Sequence, residues 1–213
     1  MIAVMDDGRE TSAQRDTWRT WLSEEERACF GTFGSEKRRR EFIAGRAAAR
    51  SLLAEMLSCE PAEVVLQIAG DGAVDVPEAP VHLSIAHSGP HAVAAVAEGG
   101  VGVDVEQIVP RDPGVERFLM APDQVGIMQH WPYDRDAALV LAWALKESVL
   151  KARRSGFRLS PKKLHLELTP APNPERGGAA VIDVQNGSAW RVLYASAASP
   201  GERRFWCAVA IPA

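Results

Sequence analysis

The spacing of apolar and polar positions changes twice along the chain. MIAVM at the start reads as a short strand. Residues 12–57 then carry apolar positions at helical intervals. In EKRRREFIAGRAAARSLLAEML, Phe42, Ala49, Leu53 and Met56 fall on one stripe. LSEEERACF begins with Ser23 at an N-cap position and Glu26 three residues on, the pattern of a capping box. From about residue 62 the period shortens. VVLQIAG, VHLSIAHS, HAVAAVA and GVDVEQI read as strands, with Glu98-Gly99-Gly100 as a hairpin turn between the last two.

Beyond residue 110 the order repeats. A Pro/Asp-rich loop is followed by helical stretches near 114–129 and 136–154. Strand-like runs come next at 164–169, 179–184, 189–195 and 204–211, with TPAPNPERGG (169–178) as a loop. Each half therefore runs helices first and strands after. This predicts an α+β protein of two similar, pseudo-twofold halves, 1–100 and 101–213, in one chain. In the segment 107–135, Leu119, Met120, Val125 and Met128 stand among charges. They fit either an exposed docking surface or a helix packed on the core.

Composition narrows the function classes. The net charge of −4 gives no general attraction to nucleic acid or to an anionic membrane. The longest uncharged apolar run, AALVLAWAL, is about half the length of a membrane-spanning helix. MIAVMDDGRE has acids where a secretory signal has bases. Cys29, Cys59 and Cys207 are scattered, which suits reduced thiols better than a disulfide framework. The expectation is a cytoplasmic protein.

Four stretches could carry chemistry. In GVDVE, Asp104 and Glu106 point to one face of a strand and Val103 and Val105 to the other. The pair is either a solvated face or a site where a cation offsets two like charges. In WALKESVLK, Trp143, Glu147 and Lys151 share a helix face; an ordinary Glu–Lys pair explains the spacing, but the tryptophan implies a covered face. Arg46 and Arg50 lie one turn apart, below Lys37-Arg38-Arg39-Arg40. A solvated helix face, an RNA patch and a phosphate grip all use such residues. In SIAHSGPH, Ser84, His87, Ser88 and Gly89 offer hydroxyl, imidazole and backbone donors to an anion. The histidine spacing matches no zinc site. Taken together, three carboxylates suit a hard divalent cation. The arginines and the His-Ser turn suit phosphates, and a lysine beside them suits developing phosphate charge. These are the parts of a phosphoryl or phosphodiester transfer across a pyrophosphate.

GVDVE, followed about forty residues later by WALKESVLKA, resembles the paired signature of the 4′-phosphopantetheinyl transferases of the surfactin-synthetase-activating type. FIAGRAAARSLL and LSIAHS stand upstream in the order that family shows, so the resemblance covers roughly residues 20–165. It implies an active site at the interface of the two halves. It also implies a reaction: the 4′-phosphopantetheine arm of coenzyme A moves to a serine of an apo acyl or peptidyl carrier protein, and 3′,5′-ADP leaves. By motif position, Asp104, Glu106 and Glu147 would hold Mg²⁺, or Mn²⁺ in its place. Glu147 would take the serine proton, and Lys151 would offset charge on the leaving phosphate. Arg46, Arg50 and His87 would hold the 3′-phosphate of coenzyme A, with Ser84 and Ser88 in the same turn region and Asp104 and Lys151 also touching the donor. The implied protein is a monomer acting on carrier proteins of fatty-acid, polyketide or peptide synthesis. The alternative is a non-catalytic module that binds coenzyme A or a carrier. Three departures concern the donor end: Ala86 replaces a serine, GDGAVDVP lacks a basic residue, and Arg154-Ser155-Gly156 follows the lysine where Gly-x-Gly is usual.

Overall fold

The structure is a computed structural model that describes residues 1–6, 11–169, 173–197 and 204–213. It contains helices and two antiparallel five-stranded sheets, an α+β architecture. The chain divides into two compact units, Met1–Glu98 and Gly99–Ala213.

In the first unit, β1 (Ile2–Asp6) precedes three helices, α1 (Ser12–Thr20), α2 (Glu24–Thr32) and α3 (Glu36–Leu57). Four strands follow, β2 (Gln67–Ile68), β3 (Val74–Asp75), β4 (His82–Ser88) and β5 (His91–Ala97), in the sheet order β1-β5-β4-β3-β2. Helix α3 starts because the Ser35 side chain accepts from the Arg38 amide, and it stops at Ser58, which takes the left-handed conformation. It lies on β1, β4 and β5 through small residues: Ala44, Ala47, Ala48 and Ala49 on the helix, and Ala92, Ala94 and Ala95 on β5, are all buried. At Gly45 a Cβ would already stand 3.0 Å from Ile85.

The second unit contains β6 (Gly102–Gln107), α4 (Pro113–Leu119), α5 (Arg135–Ala152), β7 (Leu164–Thr169), β8 (Arg176–Asp183), β9 (Ala189–Ala197) and β10 (Phe205–Pro212). The sheet order is β6-β10-β9-β8-β7. Asp134 caps α5 by accepting from the Ala137 amide. The helix covers β6 and β10 with Leu139, Leu141, Leu145, Val149 and Leu150, which join Leu164, Leu166, Val181, Val192 and Trp206 in one core. Each such side chain contributes about 1.5–3 kcal/mol by leaving water. The indole of Trp206 satisfies its polar atom by donating to the Ala137 carbonyl at 3.0 Å.

The sequence expectations differ from this structure in four places. VVLQIAG forms only the two-residue β2, because Val64 and Leu66 turn into the core while Val65 and Ile68 stay exposed. No hairpin joins β5 to β6. Strand β5 has β1 and β4 on its two edges, so the chain changes sheet at Gly99-Gly100 and β6 pairs with β10. Near 114–129 the α-helix ends at Leu119. Pro122 opens a 3₁₀ turn, Pro122–Gln124, and a second turn, Ile127–His130, follows. The loop expected over 169–178 is shorter, since β8 starts at Arg176; residues 170–172 lie outside the described residues. Among the described residues no helix is long and apolar enough to cross a membrane.

Candidate active site

Strand β6 and helix α5 meet more closely than side chains normally allow. Gly102, Asp104 and Glu106 pair with Ala210, Ala208 and Trp206 of β10 and share the face turned to α5. Val103 and Val105 point the other way and are fully buried. A Cβ on Gly102 would lie 1.8 Å from the Ser148 carbonyl oxygen and 2.4 Å from the Ala152 amide nitrogen. The glycine of GVDVE is thus the point at which the helix backbone rests on the strand. Glu147 and Lys151 stand on the turns of α5 beside Asp104 as a result.

Lys151 Nζ donates to Asp104 Oδ1 at 2.8 Å. The other oxygen, Oδ2, is buried with no hydrogen-bond partner, and so is Oε1 of Glu147. Asp104 is 5% exposed. Burial pushes its carboxyl up to about 7 despite the neighbouring Lys151, and Glu106 and Glu147 raise it further. Glu147 is likewise raised, first by burial and then by Glu106, with Lys151 opposing. Glu106 accepts from Arg111 at 2.8 Å. Among the described residues no group of three or more His, Cys, Asp or Glu side chains is gathered tightly enough to hold a metal ion; Lys151 and Arg111 are the cations that face these acids. Two orphaned carboxylate oxygens beside a third acid are nonetheless donors of the type a hard cation takes. Of the two readings left open for GVDVE, the solvated face does not describe Asp104.

Two neighbours of this cluster were not assigned by sequence reasoning. Arg111 follows Glu106 in the loop VPRDP, and a base five residues from an acid was its only signal. Lys146 is fully buried, with Nζ donating to the carbonyls of Leu119 at 2.7 Å and Pro161 at 3.1 Å. It fastens the end of α4 and the 161 turn to the helix beside Glu147. Burial alone lowers it to about 7. Trp143 on α5 is half-buried with the exposed Phe118 of α4 at 6.3 Å. Leu119, Met120 and Met128 are core, and only Phe118 and Val125 of the 107–135 segment are large exposed apolar side chains.

In the first unit, Arg46 and Arg50 converge on Glu26. Arg50 is 2% exposed and donates to both Glu26 oxygens, at 3.2 and 2.6 Å. Arg46 Nε lies 2.8 Å from Oε1, an ion pair without hydrogen-bond alignment, and its guanidinium sits over the Phe42 ring. Glu26 is also the N3 residue of α2 and accepts from the Ser23 amide. The sequence revealed that cap but not the counter-ion role, because Arg50 is 24 residues away and Arg46 lies one turn before it. Ser84 is buried on β4, and His87 and Ser88 end that strand before a tight turn in which Gly89 has φ 60°. His87 Nδ1 is 3.8 Å from Glu41 of α3, which also lies 3.7 Å from Lys37.

A family model of the 4′-phosphopantetheinyl transferase superfamily matches residues 100–210, the segment that holds the carboxylates and Lys151. The chain belongs to this superfamily. A model of the 4′-phosphopantetheinyl transferase N-terminal domain matches residues 25–97. The 4′-phosphopantetheinyl transferase psf-1 of Bacillus pumilus is 26% identical over 153 residues, 71% of this chain and 66% of the relative. The 4′-phosphopantetheinyl transferase ffp of Bacillus subtilis is 24% identical over 148 residues, 68% of this chain and 66% of the relative. The chain thus spans just under two thirds of the length of these two transferases. Asp104, Glu106, Glu147 and Lys151 lie together within the superfamily segment, while Arg46, Arg50, Ser84, His87 and Ser88 lie within the N-terminal segment.

Proposed function

We propose that the protein is a 4′-phosphopantetheinyl transferase that moves the phosphopantetheine arm of coenzyme A to a serine of an apo carrier protein. The observation that carries this reading is the pair of buried, partnerless oxygens on Asp104 and Glu147, beside Lys151 and inside the superfamily segment. A surface ion pair leaves no such oxygens.

Asp104, Glu106 and Glu147 would hold a divalent cation, magnesium by donor type with manganese as the alternative. When bound, it offsets negative charge on the pyrophosphate of the donor. The rest is the work of the chain itself. Glu147 takes the proton of the carrier serine, and its raised pKa brings it toward the range where a base works near neutral pH. The serine oxygen forms a bond to the phosphorus that bears the pantetheine arm. The bond from that phosphorus to the bridging oxygen breaks, and 3′,5′-ADP takes the electron pair. Lys151, released from Asp104, offers its ammonium to the leaving phosphate. Asp104 and Lys151 would touch the pyrophosphate, while Ser84, His87 and Ser88, together with Arg46 and Arg50, would be the residues for the nucleotide end. Scattered, unbridged cysteines accord with a cytoplasmic protein.

Incubation with coenzyme A, Mg²⁺ and several apo carrier proteins, read by mass spectrometry, should add one phosphopantetheine group to a carrier. Glu147→Gln should lower the rate by about a hundredfold or more while retaining the fold. No mass gain on any carrier favours a non-catalytic module, and turnover of the Gln variant near the parent's removes Glu147 from the reaction.

A further inference from the structure

The second unit contains a cavity of about 520 Å³, the size of a small-molecule site, lined by residues just before α5 and by β7 and β9. Helix α5 rises about 24 Å between Arg135 and Lys151, so the cavity stands at the end of the helix away from the carboxylates. Trp131, Tyr133 and Tyr194 line it, with Pro132 and Pro174. Tyr133 Oη donates to the Pro174 carbonyl at 2.8 Å and lies 3.2 Å from Tyr194 Oη. Both tyrosines meet Trp206 edge-on, at ring-centroid distances of 5.0 and 5.7 Å. These contacts fix the rings and engage the hydroxyls within the wall. Among the described residues that line the cavity, none is Lys or Arg. Glu167 is exposed, and strand alternation sends its side chain to the face opposite that of Leu168. Arg176 likewise lies on the face of β8 opposite the buried Ala179 and Val181. The other flanking charges are engaged: Arg135 with Asp136 and Glu116, Glu175 with Arg204, and Asp134 with the first turn of α5. The walls therefore suit a neutral ring.

The polar anchor is main chain. Strand β7 ends its sheet, with β8 on one side only. The Leu166 amide donates to Gln124 Oε1 at 3.0 Å instead of to β8, so Leu166 turns its main chain to the open edge. Leu168, two residues on, turns its N–H and C=O the same way, and it lines the cavity. A ligand residue paired with Leu168 carries its side chain on the face that Leu168 shares with Val192 and Tyr194, since Leu168, Ala179 and Val192 are in register. Gln124 already occupies the next pairing position, so the edge accepts one residue and not a strand. We propose that this cavity is a second ligand site for a small neutral molecule with an aromatic ring on an amide backbone, of the class of an acylated aromatic amino-acid amide. Its amide pairs with Leu168 and its ring enters between Trp131, Tyr133 and Tyr194. The site is independent of the transferase reading and holds or fails without it.

The probe is N-acetyl-L-phenylalaninamide, titrated into the full chain by calorimetry. Saturable binding with a Kd on the order of 1 mM or tighter is expected for a ligand of about 15 non-hydrogen atoms. N-acetyl-L-alaninamide, which lacks the ring, should bind about tenfold more weakly or worse. Methylation of the acetylated nitrogen removes the donor to the Leu168 carbonyl and should cost about threefold or more. In protein labelled with ¹⁵N-leucine, the Leu168 amide, assigned with Leu168→Ile, should move downfield and further than that of Leu166. A pentapeptide amide centred on phenylalanine should bind within about fivefold of the single residue, because Gln124 blocks further pairing. Coenzyme A should not displace the probe. No saturation at tenfold higher concentration, equal binding of the alanine or methylated compound, or an unmoved Leu168 amide overturns the proposal. A larger gain with the pentapeptide assigns the edge to a strand-like partner, and displacement by coenzyme A assigns the cavity to the donor; either result also overturns it.

Discussion

Replacing Gly102 with alanine adds one methyl group at the place where α5 rests on β6. The added Cβ would lie 1.8 Å from the Ser148 carbonyl oxygen, and ordinary contact begins at 3.4 Å. The atoms in the way are helix backbone, so no side chain can swing aside; the helix must move by about 1.6 Å or the strand must bend. Overpacking of a core costs roughly 1–3 kcal/mol, and a backbone clash belongs at the upper end. The chain-entropy gain of Gly→Ala offsets at most about 1 kcal/mol of this. A net loss of about 2 kcal/mol should lower the melting temperature by roughly 4–8 °C for a protein of this size. The same shift would stretch the Lys151–Asp104 hydrogen bond from 2.8 Å to about 4.4 Å, well past bonding distance. Misplacement on this scale typically costs about a hundredfold in rate. Thermal unfolding and carrier modification should therefore fall together in Gly102→Ala. A variant that melts within 1 °C of the parent and turns over within twofold would show that α5 does not position the lysine in this way.

Two further outcomes follow from buried charge. Without metal, in the presence of a chelator, Asp104→Asn should be more stable than the parent at pH 8 and lose that advantage toward pH 5. The folded-state pKa of about 7 is raised above the ordinary 3.8; the stabilisation carried by the bound proton is therefore complete at low pH and lost as pH rises through 7. Asparagine keeps an oxygen for Lys151, so urea titrations at the two pH values isolate the charge, and a pH-independent difference would contradict the assignment. Glu26→Gln should destabilise the first unit by about 3 kcal/mol or more, because it leaves Arg46 and Arg50 buried without their counter-charge. Urea denaturation checks this, and a loss below 1 kcal/mol would mean that water reaches the arginines.

The elements most legible in the sequence were those whose period extended over many residues. The stripe through Phe42, Ala49, Leu53 and Met56 predicted α3, and AALVLAWALKESVLK predicted α5 nearly to its ends. The alternation in GVDVE placed Asp104 and Glu106 on one face, but whether that face met water or a helix depended on Gly102, and a glycine's contact is invisible to periodicity. Strand partners were least legible. Gly99-Gly100 has the composition of a hairpin turn, and only the two edges of β5, filled by β1 and β4, exclude one. In the site, residue types at motif spacing located Glu147 and Lys151. Glu26, Arg111 and Lys146 take their partners from tertiary neighbours, which local spacing does not encode.

Glu26 serves two structures at once, closing the cap of α2 on the Ser23 amide and holding the arginines of α3. Its carboxylate cannot let go of one helix without disturbing the other. The first turn of α2 and the middle of α3 should accordingly behave as a single foldon in native-state hydrogen exchange, opening with one common free energy although they are remote in sequence. A segment that would fray as an isolated short helix inherits the protection of the longest helix in its unit.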